Sequence, residues 1–197
     1  MADEIEDGSF LSDDWYGEDL GDRVYTQCFF TNVDLTEAVS RGAVFTECRF
    51  GGVRFNASRH EDSAFLRCTF ERCNFFEASF SGCKLVGSTF TECDLRPLTV
   101  TGGDWSFVSL ARADLRGVGF TGTRMREADL TGANLTGGTL TGVDLSAARL
   151  GGIKLGQCDL RGSDLSALDP RDADLRDAVI DAEQALTVAR ALGLRIG

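Results

Sequence analysis

Histidine is almost missing from this chain of 197 residues, where His60 is the single one. One imidazole excludes multi-histidine metal centres and leaves no second histidine to activate a nucleophile. Proline is nearly as scarce, with two residues against 23 glycines. Lysine is limited to Lys84 and Lys154 among 20 basic side chains, and these are outnumbered by 31 acids for a formal net charge of −11. Binding driven by neutralising nucleic-acid phosphates needs a net-basic surface, so direct nucleic-acid binding is excluded as the expected role. No apolar run reaches the roughly 18–20 residues of a membrane helix, and Met1–Phe10 has neither the basic nor the apolar part of a secretion signal. A soluble, cytoplasmic protein without membrane contact is expected.

What is present is a period of five. Every fifth residue from Phe10 to Ile180 gives 35 positions, of which 32 are large and apolar, the exceptions being Ser40, His60 and Pro170. Eleven of the 14 phenylalanines and 15 of the 22 leucines share this register, and no insertion shifts it. Two residues earlier runs a column of small residues that holds all seven cysteines: Cys28, Cys48, Cys68, Cys73, Cys83, Cys93 and Cys158. The position between the columns is often Asp or Asn, as in Ala128-Asp129-Leu130-Thr131-Gly132 and Ala133-Asn134-Leu135-Thr136-Gly137.

Helical (3.6) and strand (2.0) periods both drift out of phase with this pattern. A period of five works when the small and large residues point inward, the residue between them points outward as in a short strand, and the last two turn the chain by about a right angle. Abundant Gly, with Asp and Asn beside it, suits such turns.

The repeated A(D/N)Lxx motif resembles that of the pentapeptide-repeat family over about residues 8 to 181. The resemblance implies an all-β, right-handed quadrilateral β-helix, four repeats or 20 residues per coil, in about eight coils. At an inter-strand spacing of about 4.8 Å the rod is about 40 Å long. The expected layout is an acidic N-terminal segment or cap at 1–22, the β-helix at 23–180, and a capping or dimerisation helix with tail at 181–197.

A 20-residue coil stacks Phe30, Phe50, Phe70 and Phe90 in one ladder and Leu115, Leu135, Leu155 and Leu175 in another. Such an interior is filled and has no substrate pocket, and no acid, base and nucleophile set is legible, so no enzyme, cofactor or metal site is expected. The cysteines read as small buried hydrophobes, and an odd count in a reducing cytosol speaks against structural disulfides. His60 reads as a packed inward residue. At Leu95-Arg96-Pro97-Leu98-Thr99 the small residue becomes Leu98 and a bulge is expected. Val44, Leu66 and Val86 fall on outward positions of one face, as a docking patch or as a surface covered by the N-terminal segment.

The period stops at Ile180. Asp181 is expected as N-cap with Gln184 at N3, and Gly193 as the stop of the helix that follows. Ala182, Ala185, Leu186, Ala189 and Leu192 fall on one face, suited to capping the rod, to a two-fold dimer, or to both. Charge is uneven. Residues 1–22 hold nine acids and no base, and 159–183 hold eight acids against three arginines.

Phe65-Leu66-Arg67-Cys68-Thr69-Phe70-Glu71-Arg72, the interruption at Pro97 and the terminal helix resemble the fluoroquinolone-resistance branch of the family. That resemblance implies a dimeric rod similar to B-form DNA in size and charge, which binds DNA gyrase without catalysis. Asp159, Asp164, Asp169, Asp172, Asp174 and Asp177 are then the expected gyrase-facing acids. Loops that interrupt the coil in part of that branch have no counterpart here, since the register never shifts. A scaffold rod for a different protein partner stands as the alternative.

Overall fold

The computed structural model describes residues 4–197. Each pentapeptide forms one side of a square coil, and residues 20 apart pair in parallel: Glu4–Glu6 with Val24–Thr26, then Val44–Thr46, then Ala64–Leu66 on the first face. On the second face run Ser9–Leu11, Phe29–Thr31, Arg49–Gly51, Thr69–Glu71 and Thr89–Thr91. The third face is held by single bridges such as Asp14 to Asp34 and Asp34 to Arg54. The fourth carries the longest sheet, six strands from Val39–Arg41 to Thr139–Thr141. The expected quadrilateral β-helix is the fold of this chain, and its 20-residue register runs from Glu4 to Val179.

Both inward columns are buried almost throughout. Rings 20 residues apart lie flat on one another at the coil spacing: Phe30 on Phe50 at 4.7 Å, Phe50 on Phe70 at 4.8 Å, Tyr25 on Phe45 at 4.8 Å. Offset stacking adds to area burial, which makes the phenylalanine half of the rod a continuous aromatic pile. His60 takes its place in such a pile, 4.8 Å above Phe80 and 1% exposed.

The corners explain two features of the repeat. The fifth residue of nearly every repeat has positive φ, in Gly and in residues such as Asn32, Glu77 and Arg112 alike. The Asp or Asn between the inward columns accepts the N–H two residues on, as Asp34 does from Thr36 at 3.0 Å and Asp144 from Ser146 at 3.0 Å. This side-chain turn satisfies a backbone donor that the ladder leaves free.

Pro97 occupies a corner where its counterparts have positive φ, a conformation its ring forbids. There the Arg96–Pro97 peptide is cis. Leu98 remains buried and the register is kept, but the expected bulge takes the form of an opening toward the next coil. The rungs that would join Glu92 N–H to Ala111 O, Leu95 N–H to Asp114 O and Asp114 N–H to Cys93 O are absent among the described residues. The ladder closes again where Gly119 N–H donates to Leu98 O at 3.1 Å.

Residues 4–22 are themselves the first coil, stacked under the second, and they do not lie over Val44, Leu66 or Val86. The C-terminal helix, Ala182–Ala191, begins at the expected capping box of Asp181 and Gln184, and Gly193 follows it at φ +86°.

Candidate interaction surfaces

The six acids expected to face a partner do not share a face. Asp164 belongs to the first face of the last coil, Asp169 and Asp172 to the second, Asp174 and Asp177 to the third, and Asp159 to the fourth face one coil before, beneath Val179, so they ring the end of the rod. Most of them accept backbone N–H groups. Asp164 accepts from Ser166 N–H at 2.9 Å, Asp169 from Arg171 N–H at 2.9 Å, and Asp172 from Gly152 N–H at 3.0 Å.

Two of the ring are paired with arginine. Arg161 binds Asp159 through two nitrogens at 2.9 and 2.7 Å, and Arg176 binds Asp174 likewise at 2.9 and 2.8 Å. The Arg161 hydrogen bonds lower the Asp159 carboxyl, and those of Arg176 bring Asp174 down to about 2. Asp164, Asp169, Asp172 and Asp177 make no ion pair among the described residues. Asp174 and Asp177 share a depression of about 280 Å³ with Gln157 and Arg176. In the body of the rod arginines lie over acids one coil below, as Arg67 over Glu47 and Arg149 over Asp129. These exposed pairs cancel charge and add little stability.

The helix meets the rod with a different side from the one the apolar spacing suggests. Gln184 is buried and its Nε2 donates to Leu160 O at 2.6 Å and Ser163 O at 2.8 Å. Val188 lies over Leu160, Leu165, Leu168, Leu175, Ala178 and Ile180, leaving a groove of about 190 Å³. Capping falls to these two because the last coil presents the Ser163 carbonyl, which has no other hydrogen-bond donor among the described residues, as well as apolar side chains. Ala182, Ala185, Leu186 and Leu192 are exposed and Ala189 half-buried. Val179, Leu194 and Ile196 are exposed too, so the end of the molecule has an apolar surface.

Val44, Leu66 and Val86 are half-buried, since side chains 20 residues away flank them along the face. The apolar side chains that stand clear lie elsewhere: Leu11 (70% exposed), Tyr16 and Phe29 on the N-terminal coils, and Phe76 and Phe107 singly.

One feature had no sequence signal beyond Pro97. Where the rungs are missing, a crevice of about 800 Å³ opens between the coils, lined by Phe90, Glu92, Cys93, Leu95, Arg112 and Asp114 among others. Arg96 Nη1 reaches Asp114 at 3.0 Å beside it, while Arg96 Nε is buried with no hydrogen-bond partner. Among the described residues no helix is long and apolar enough to cross a membrane, and no cluster of three or more metal-ligating side chains occurs.

Comparison with known proteins agrees with this geometry. A family model described as a pentapeptide repeat region matches residues 73–150, and one described as pentapeptide repeats (8 copies) matches 26–59 and 140–180. The pentapeptide repeat protein MfpA of Mycobacterium tuberculosis is 41% identical over 49 residues, 25% of this chain and 27% of that protein. Its counterpart in Mycolicibacterium smegmatis is 41% identical over 49 residues, 25% of this chain and 26% of that protein. The similarity thus spans about a quarter of these relatives' length. The solved structure of QnrB1, a plasmid-mediated fluoroquinolone resistance protein, superposes with a TM-score of 0.92 at 21% identity, over 100% of this chain and 99% of that one. At that identity the likeness speaks for the fold alone.

Proposed function

The chain belongs to the pentapeptide-repeat family, and from that premise we propose that it is a non-enzymatic rod that binds DNA gyrase in place of duplex DNA. Bound there, it inhibits the enzyme or shields it from fluoroquinolones or gyrase toxins. The observation that carries the reading is the acidic ring at the end of a filled rod, with four of its six carboxylates free of arginine partners among the described residues. The similarity to MfpA and the shared fold with a fluoroquinolone resistance protein support it.

Magnitudes restrict how the mimicry works. Duplex DNA carries about one charge per 1.7 Å, so a 40 Å length has over 20 negative charges. The whole chain has a net charge of −11. Mimicry is therefore local to the acidic end, with shape carrying part of the recognition.

Purified protein in excess over gyrase is expected to inhibit supercoiling or to reduce quinolone-stabilised cleavage, and absence of both effects rejects the proposal. Replacing Asp164, Asp172, Asp174 and Asp177 by Asn removes four charges and keeps the oxygens that accept from Ser166, Gly152 and Arg176 N–H at the first three. The dose response is expected to move about tenfold to higher concentration, since charge complementarity governs such encounters. An unchanged response puts the interface elsewhere.

A second reading, a scaffold for another protein, is favoured by Leu11, Tyr16 and Phe29 standing exposed on the N-terminal coils. It is distinguished by pull-down: gyrase subunits are recovered under the first reading and not under the second.

A further inference from the structure

Six of the seven cysteines are buried, and Cys93 is the exception, half-buried and lining the crevice. Its opening has a structural cause. The rung from Asp114 N–H to the Cys93 carbonyl is missing, so the upper side of this coil faces the crevice and not a neighbouring coil. On its lower side the coil is held in register by the Asn74 to Asp94 bridge, which sets Cys73 directly beneath Cys93 in the same small-residue column. Adjacent coils are about 4.8 Å apart, within the Cα separation of about 4.4–6.8 Å that a disulfide spans.

The thiols point the same way. Cys93 donates to Thr91 O at 3.4 Å and Phe70 O at 3.5 Å, and Cys73 to Glu71 O at 3.5 Å and Phe50 O at 3.3 Å. The neighbouring Cys73 thiol holds Cys93 below the ordinary thiol value, while the nearness of Cys93 and burial push Cys73 up. Cys48 and Cys68 repeat this vertical arrangement but are enclosed, 0% and 1% exposed. Access, therefore, singles out the Cys73–Cys93 pair.

We infer that Cys93 is a covalent modification site reached through the crevice, and that a hydroperoxide oxidises it to a sulfenic acid which Cys73 converts to a disulfide. In the first step the Cys93 thiolate attacks a peroxide oxygen. The O–O bond breaks, sulfur gives up two electrons, and the other oxygen leaves as an alcohol or water after taking a proton. In the second, the Cys73 sulfur attacks the sulfenyl sulfur, the S–O bond breaks, and the departing hydroxide takes the Cys73 proton as water. Two thiols and one hydroperoxide thus yield one disulfide, one alcohol and one water. The inference is independent of the gyrase reading.

The test is thiol chemistry on the folded chain, followed by peptide mass spectrometry. With iodoacetamide, Cys93 is expected to react about tenfold faster than the other six cysteines, as access and thiolate character dictate. Hydrogen peroxide is expected to remove about 2 Da per chain and to link the Cys73 and Cys93 peptides. Cys73→Ser is expected to stop at a sulfenic acid that dimedone traps on Cys93, and Cys93→Ser to abolish both the fast alkylation and the mass loss. Serine fills the equivalent small inward position on the other faces at Ser58, Ser63 and Ser88, all buried, so both variants are expected to keep the fold. A different cysteine reacting first, uniform rates across all seven, or peroxide oxidation of Cys93 without linkage to Cys73 overturns the inference.

Discussion

His60 is held inside the rod by three serines. Its Nδ1 lies 2.7 Å from Ser40 Oγ and its Nε2 3.1 Å from Ser58 Oγ, while Ser40 Oγ also meets Ser63 Oγ at 2.8 Å. Burial pushes its pKa down to about 3 from 6.5, so the folded protein holds the ring neutral. The unfolded chain binds the extra proton between those values, and the contribution to stability, full above pH 6.5, falls as pH drops toward 3. Thermal midpoints are expected to decline between pH 7 and pH 5, above the range from 3.8 down to about 2 over which Asp34 and Asp174 lose their contribution. His60→Phe is expected to flatten that decline, and an equally steep one in the variant rejects the assignment. The serines keep other partners in that variant: Ser58 donates to Phe55 O at 2.7 Å and Ser63 to Glu61 O at 3.0 Å. The inward place of His60 was legible from the period of five alone. Its hydrogen bonds were not, because Ser40 and Ser63 join it only through stacking across coils. Cys93 was less legible still, since its exposure follows from rungs lost to a coil 20 residues later.

At the scale of the coil, the small inward column sets how close two turns can come. Gly103 is the sharpest case: a Cβ there would lie 2.1 Å from Cys83 O and 2.8 Å from Cys83 N, at φ +78°. At Gly137, with φ +69°, a Cβ meets nothing within 4 Å. Gly137→Ala should therefore cost about 1–2 kcal/mol for its backbone conformation alone. Gly103→Ala should cost more than about 3 kcal/mol, because backbone has to move. Denaturant midpoints compare the two, and equal costs would show that the coils are not held this tightly. The Asp and Asn of the motif were visible in the sequence as turn formers, and the structure gives their acceptor role. The helix was legible in its caps but not in its orientation. Apolar spacing points to the Ala and Leu face, whereas the Ser163 carbonyl takes its hydrogen bond from the Gln184 amide, which also donates to the Leu160 carbonyl beside the Ser163 N–H. Gln184→Leu leaves the Ser163 carbonyl without its donor and removes half the capping box, and should cost about 2–3 kcal/mol in the same measurement.

For the whole molecule, the exposed side of that helix connects the shape of the rod to its charge. If a second copy covers Ala182, Ala185, Leu186 and Leu192, the two rods join end to end and their acidic last coils meet near the seam. Residues 159–183 have a net charge of −5 in each copy, from eight acids and three arginines. Two such ends place about −10 within roughly 25 Å, where duplex DNA has about 15 charges. One rod alone presents half of this charge over half the length, so pairing extends the acidic stretch without raising its density, and the proposed competition with DNA draws on that added length. Leu186→Glu sets a charge into the exposed apolar surface without touching Gln184 or Val188, and its fold should survive with an unchanged circular dichroism spectrum. Light scattering is expected to give the mass of two chains for the unaltered protein and of one for the variant. Gyrase inhibition should weaken about tenfold or more in the variant as the length of the acidic stretch is halved. A single-chain mass for the unaltered protein would remove the seam, and full inhibition by a monomeric variant would show that one acidic ring suffices.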